Sequence, residues 1–170
     1  MTTDINQALT AFAAWLTSTP LNKLTAETAW IVPTVQVVHI LSVAATLAAT
    51  AIISLNTLGL ADRNNGRDAV LARYLPTLWI TLPILAATGL LLIAAEPTRA
   101  IFRTIFWIKL ALIVAATALT VSLRHGDLAA APLNILVGRR TRAVVAIALW
   151  LAVVVAGRWI GYAIGWPGSP

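Results

Sequence analysis

Five polar residues stand within or beside apolar stretches of the sequence, where a charged or titratable side chain is costly. They are Gln36, His39, Glu96, Lys109 and Arg158. Such residues usually face a protein interior and mark binding or proton-transfer sites. An imidazole can coordinate copper or a haem iron and can hydrogen-bond a quinone-like ring, whereas lysine and arginine pair with anionic groups. These five residues therefore form a candidate cofactor-binding set, with His39 as the candidate metal ligand.

The spacing of these residues predicts that two of them lie at similar depth in a membrane. His39 follows Trp30 by nine residues, which is about 13 Å at helical rise. Arg158 precedes Trp166 by eight residues, or about 12 Å. Tryptophan marks membrane interfaces, so the five residues are expected to line one outward-facing polar pocket. The simpler alternatives are that His39 only bonds a neighbouring helix and that Lys109, which can snorkel, and Arg158 only anchor the interface.

His125 is the second histidine and a weaker candidate metal ligand. It follows Phe106 by nineteen residues, about 28 Å, and so lies about 15 Å from His39 along the membrane normal. The two axial nitrogens of one haem are only about 4 Å apart, so one haem cannot take both histidines of a chain. A surface histidine near the headgroups is the simpler interpretation. Haem and copper remain the candidate cofactors through His39.

Other metal and catalytic chemistries are missing from the sequence. The chain has no cysteine and its single methionine is Met1, so thiolate and internal thioether ligands are excluded. It has no glycine-rich phosphate loop, no GxSxG elbow and no HExxH helix. We therefore do not favour an enzyme.

The elements that must position these residues are membrane helices. Only 11% of the 170 residues are charged, against about 25% in soluble domains. Four apolar stretches, about 31–55, 76–95, 106–123 and 143–165, each approach the roughly 20 residues that cross a bilayer. The predicted fold class is all-α, a four-helix transmembrane bundle in up-down-up-down order, forming a single domain over 1–170. The second stretch is expected to continue a helix that begins near Asp68, and Pro76 and Pro83 are expected to bend that helix.

The first residues of the chain follow a different pattern. Ile5, Leu9, Phe12 and Leu16 recur at helical spacing, which predicts a short amphipathic helix over about 3–18 that lies at the membrane interface. A poorly ordered tail is the alternative.

A row of glycines marks the last apolar stretch. Gly157, Gly161 and Gly165 recur every four residues, a spacing that lets helices approach closely in lipid. Packing within the chain is the favoured explanation, and the face of a homo-oligomer is the alternative.

The net charge of +6 does not indicate nucleic-acid binding, because no basic face is interleaved with aromatic residues. The basic residues instead flank the apolar stretches, which makes the lipid bilayer the expected partner. One side holds seven of them, at Arg63, Arg67, Arg73, Arg124, Arg139, Arg140 and Arg142. The other holds four, at Lys23, Arg99, Arg103 and Lys109. The positive-inside rule then places both termini outside the cytoplasm.

Several segments resemble a bacterial family of four-helix inner-membrane proteins that is known only as a domain of unknown function. That family is in turn generally similar to the membrane domain of CopD-type copper-resistance proteins. The resembling segments are Trp15-Leu16-Thr17-Ser18-Thr19-Pro20-Leu21, Trp30-Ile31-Val32-Pro33, His39-Ile40-Leu41, Leu58-Gly59-Leu60, Thr88-Gly89-Leu90-Leu91, Ala94-Ala95-Glu96-Pro97 and Phe106-Trp107-Ile108-Lys109-Leu110. His125 falls where the third helix of that family ends in histidine. The chain departs from the family at Ser54 and Asn56, where an acidic and a basic residue are expected. The resemblance implies a four-helix fold in the bacterial inner membrane and, by analogy with CopD, metal or redox handling.

Two functions of different classes follow from the sequence. The first is a membrane-embedded binding or redox protein whose pocket around His39 holds a metal, a haem or a quinone-like ligand, with Lys109 and Arg158 meeting anionic groups. The second is a structural or accessory subunit of a larger membrane complex, in which His39 only packs. A transporter or an enzyme comes third.

The charge asymmetry yields a testable topology. Reporter fusions after Asn65 and after Pro132 are expected to report the cytoplasm, and a fusion at Pro170 is expected to report the outside, because loops rich in arginine stay on the cytoplasmic side. A cytoplasmic signal at Pro170 would show inverted insertion or an odd number of spans.

Overall fold

The computed structural model describes residues 2–61, 66–123 and 138–162, with side chains of 2–6, 99–100 and 160–162 left out of the description. Within these ranges the chain is helical and has no strand. The helices are α1 (Thr2–Ser18), α2 (Pro20–Glu27), α3 (Ile31–Leu58), α4 (Arg67–Ala95), α5 (Pro97–Ile101), α6 (Thr104–Ser122) and α7 (Arg139–Tyr162). The predicted all-α fold is therefore confirmed.

Four of these helices, α3, α4, α6 and α7, are long and apolar enough to cross a bilayer. Helix α4 begins at Arg67, which confirms the start predicted near Asp68. Val70, Leu71 and Leu75 before Pro76 and Leu78 after it are core residues, so the helix is held by packing on both sides of this proline. Both prolines lie inside α4, and the bend expected at them stays a prediction.

Helix α3 lies between α4 and α7, and α7 lies between α3 and α6. One apolar cluster joins α3, α4 and α7 near the end of the bundle where α3 stops, and it includes Ile53, Leu71 and Ala143. A second joins Ala116 of α6 to Trp150 of α7. Most large apolar side chains outside these clusters are exposed, as expected for helices that face lipid tails rather than water.

A buried pair of threonine hydroxyls links α3 to α4. Ser42, Thr46, Thr50 and Ser54 are all buried along α3, so they share one side of the helix. Thr46 Oγ1 lies 2.6 Å from Thr81 Oγ1 of α4. Such hydroxyl contacts link helices in lipid, where further apolar surface gives little driving force.

Two arginine side chains donate hydrogen bonds to carbonyl groups at the carboxyl-terminal end of α6. Arg142 of α7 is fully buried and its Nη1 donates to the Ser122 carbonyl at 3.2 Å. Arg67 of α4 donates to the Leu123 carbonyl. The last carbonyls of a helix have no partner within it and carry its negative dipole end, so both arginines stabilise this end of the bundle.

The amino-terminal helices pack at the opposite end. Thr19 caps α2 by accepting from the Asn22 backbone N–H, and Pro20 occupies the first turn. The Asn22 side chain donates to the carbonyls of Ala94 and Ala95 at 2.8 and 3.1 Å, which ties α2 to the end of α4. The predicted helix over about 3–18 forms as α1, and its position at the interface stays a prediction.

Arg142 allows a test of the end of α6. Replacing Arg142 with Met should remove the donor to the Ser122 carbonyl. The free energy of unfolding should then fall by about 1–3 kcal/mol. The melting temperature in detergent should then fall by roughly 2–4 °C for each kcal/mol. Arg140→Met is the matched control, since Arg140 is exposed two residues away. Equal melting temperatures for the two variants would show that Arg142 does not stabilise the bundle.

Candidate functional site

His39 is joined to a threonine of the neighbouring helix. Its Nδ1 lies 2.8 Å from Oγ1 of Thr88, across the packed pair of α3 and α4. Thr88 Oγ1 also donates to the Ile84 carbonyl at 2.6 Å. Because a hydroxyl has one hydrogen, Thr88 can then only accept from His39, so we assign the proton of a neutral imidazole to Nδ1. The Nε2 lone pair is left available.

The imidazole ring lies against a glycine. A Cβ added at Gly89 would sit 3.7 Å from Cε1 of His39, which is ordinary van der Waals contact. His39 is half-buried. Among the described residues, no hydrogen-bond partner is found for Nε2. This nitrogen can therefore accept a hydrogen bond from a ligand or coordinate a metal centre.

Lys109 projects from α6 toward α7. Its Nζ lies 3.3 Å, and its Cε 3.6 Å, from the position that a Cβ of Gly157 would occupy. The side chain is half-buried. Within the described part of the chain, no carboxylate lies within salt-bridge distance of Lys109. Snorkelling alone therefore does not describe this lysine, because its ammonium lies beside the backbone of another membrane helix.

All four membrane helices contribute to this group of residues, which we call the His39–Lys109 site: His39 of α3, Thr88 of α4, Lys109 of α6 and Gly157 of α7. Lys109 reaches α7 at Gly157, and α7 packs against both α3 and α6. Each member stands five to eight residues from the same end of the bundle, which is about 7–12 Å at helical rise. The similar membrane depth predicted for His39 and Arg158 stays a prediction.

The remaining predicted residues are placed as follows. Gln36 is exposed on α3, three residues before His39. Glu96 is exposed where α4 ends. Arg158 is exposed on α7, directly after Gly157. His125 and Gly165 lie outside the described residues. Of the five candidates, His39 and Lys109 are thus the two with half-buried side chains.

The sequence analysis did not assign Thr88 or Gly89 to the site. The sequence does mark these two residues as unusual, since Thr88-Gly89 interrupts the apolar run of α4 seven residues before its end. Threonine in a membrane helix usually bonds its own backbone, so the type of residue alone did not indicate a partner. Only the packing of α3 on α4 gives Thr88 its histidine.

A small cavity lies between the site and the end of the bundle. It is lined by Thr25, Ile31, Val32, Val35, Leu91 and Leu92. Val35 precedes His39 by one helical turn and Leu92 follows Thr88 by one turn. Helix α2, held by Asn22, therefore covers the cleft between α3 and α4 just above the histidine.

The donor set limits which metal species fits. The described residues contain no group of three or more histidine, cysteine or carboxylate side chains. A bare transition-metal ion generally requires several such ligands. A haem iron is different, because the porphyrin supplies four nitrogens and a single axial histidine is sufficient.

Comparison of the chain with protein-family models, with curated proteins and with solved structures finds no match.

Proposed function

We propose that this protein is a membrane-embedded binding protein whose His39 Nε2 takes up an amphipathic ligand, a haem or a quinone-like molecule. The observation that carries the proposal is the bond between His39 Nδ1 and Thr88 Oγ1. Histidine ligands generally donate their other ring N–H to a fixed acceptor, which sets the tautomer and the ring orientation. The arrangement at His39 has this form, and the free nitrogen lies in a membrane-spanning helix.

The two ligand types use the same atoms differently. A haem would place its iron on Nε2, whereas a quinol would donate a hydroxyl hydrogen to Nε2. In both cases Lys109 would meet an oxygen of the ligand, and Arg158 would add positive charge near the membrane surface. Copper bound by His39 without a macrocycle is less well supported, because the described residues offer no group of three metal-binding side chains.

The proposal agrees with the resemblance to bacterial four-helix inner-membrane proteins and to the CopD membrane domain. We propose that the chain belongs to that family, that it resides in the bacterial inner membrane, and that both termini lie outside the cytoplasm. The accessory-subunit alternative relied on the glycine face of α7. At Gly157 that face meets Lys109 of the same chain, which favours a role within the bundle over a role in assembly.

The decisive variant is His39→Gln. A carboxamide can still donate and accept hydrogen bonds but is a far poorer ligand for transition metals than imidazole. The bundle should therefore survive while the bound species is lost. The measurement is the absorption spectrum, metal content and extracted quinone per protein, in wild type and in His39→Gln.

A Soret band that disappears in His39→Gln is the expected result for haem, and loss of a co-purified quinone is the expected result for a quinol site. Arg158→Gln should weaken binding of an anionic cofactor without abolishing it. Equal occupancy in wild type and His39→Gln, or no ligand in either, would contradict the proposal and favour the accessory subunit.

Thr88→Val tests the orientation of the imidazole. Valine keeps the shape of threonine but cannot accept from Nδ1, so ligand affinity should fall by roughly 10–100-fold. The measurement is a titration of the extracted ligand back into the purified protein. Thr34→Val is the matched control, since Thr34 is exposed on α3 and bonds only its own helix. If both variants bind like wild type, Thr88 does not orient a ligand-binding histidine.

A further inference from the structure

No described carboxylate compensates the positive charge of Lys109. A charged side chain in a membrane segment is costly and is usually paired, hydrated or extended to the interface. Lys109 instead lies half-buried beside α7. The acidic residues described at the same end of the bundle, Glu27 and Glu96, are exposed, and neither forms an ion pair with Lys109.

Gly157 makes this position of the ammonium possible. A Cβ at residue 157 would approach Nζ to 3.3 Å, which is tighter than an ordinary contact with a carbon atom. The absence of that carbon lets the lysine reach the α7 backbone next to the site. Gly157 is thus a positioning residue that acts through Lys109.

We propose that Lys109 Nζ binds an anionic oxygen of the ligand, so that the site selects an anionic amphiphile, one with a carboxylate near its polar end. This inference rests on the proposed function, because it assigns a ligand class to the same site. Lys109 stands five residues from the start of α6, whereas His39 stands eight from the start of α3. The anionic group therefore lies nearer the membrane surface, and the part of the ligand that meets Nε2 lies deeper.

The chemistry favours a carboxylate over a neutral oxygen. A hydrogen bond between an ammonium and a carboxylate is roughly twice as strong as one between neutral groups, and in a setting with little water it also removes the cost of an unpaired charge. A neutral quinone carbonyl would leave the charge of Lys109 uncompensated. Among the two ligand types proposed above, the lysine thus favours one that carries carboxylates, as a haem does.

The test uses palmitate as the anionic probe and methyl palmitate as its neutral counterpart, mixed in equal amounts with the purified full chain in detergent. Native mass spectrometry counts each bound species. Wild type should prefer palmitate by about 10-fold, as expected for one charge-assisted hydrogen bond. Lys109→Gln should bind the two probes equally. Lys23→Gln is the matched control, because Lys23 is the only other lysine of the chain and is exposed, and it should keep the preference.

Gly157→Ala provides a second variant that retains the lysine. The added carbon should move the ammonium, so the preference for palmitate should fall severalfold while binding of methyl palmitate is unchanged. Gly66→Ala is its control, since a Cβ there meets no atom within 4 Å, and it should behave like wild type. This pair keeps the inference testable even if Lys109→Gln does not fold.

Three results would overturn the inference: no preference for palmitate in wild type, an undiminished preference in both Lys109→Gln and Gly157→Ala, or an equal loss in Lys23→Gln. If the proposed function is wrong, a different experimental result is expected. In that case occupancy by the co-purified ligand is the same in wild type and His39→Gln, whatever the preference between the two probes.

Discussion

Threonine hydroxyls that bond their own helix while accepting from a neighbouring helix are the contact on which this bundle depends. The core of a bilayer holds no water to satisfy a polar group, so a hydroxyl that finds a partner within the protein stabilises the fold. Thr88 donates to the Ile84 carbonyl and accepts from His39. Thr120 donates to the Ala116 carbonyl at 2.7 Å and lies 3.3 Å from Trp150 Nε1, which donates to it. One contact joins α3 to α4, and the other joins α6 to α7.

These contacts have a consequence for the histidine. A threonine whose hydrogen is already used by its backbone is an acceptor only, and it therefore fixes which imidazole nitrogen carries the proton. At the Thr120–Trp150 contact the result is purely structural, since an indole nitrogen has no second polar atom to offer. At His39 the same contact leaves Nε2 with a lone pair. The same type of contact that links helices in lipid thus also leaves the lone pair of His39 Nε2 available.

The two ends of the bundle use positive charge differently. At the end of α6, Arg67 and Arg142 donate to backbone carbonyls, so their charge meets the negative end of a helix dipole. At the other end, Lys109 reaches the α7 backbone over Gly157 and meets no described carboxylate. The first arrangement stabilises the fold by itself. The second is completed by the anion that we propose as part of the ligand.

The sequence by itself determined the four apolar helices and the helical amino terminus, because hydropathy and residue period act locally along the chain. It also indicated His39 and Lys109, since polar residues in apolar segments are rare. Only the tertiary structure decided that Thr88 faces His39, that Gly157 makes room for Lys109, and that Gln36, Glu96 and Arg158 have exposed side chains. Spacing along one helix fixes the depth of a residue, but its partner depends on how neighbouring helices are rotated and packed, which no single segment encodes.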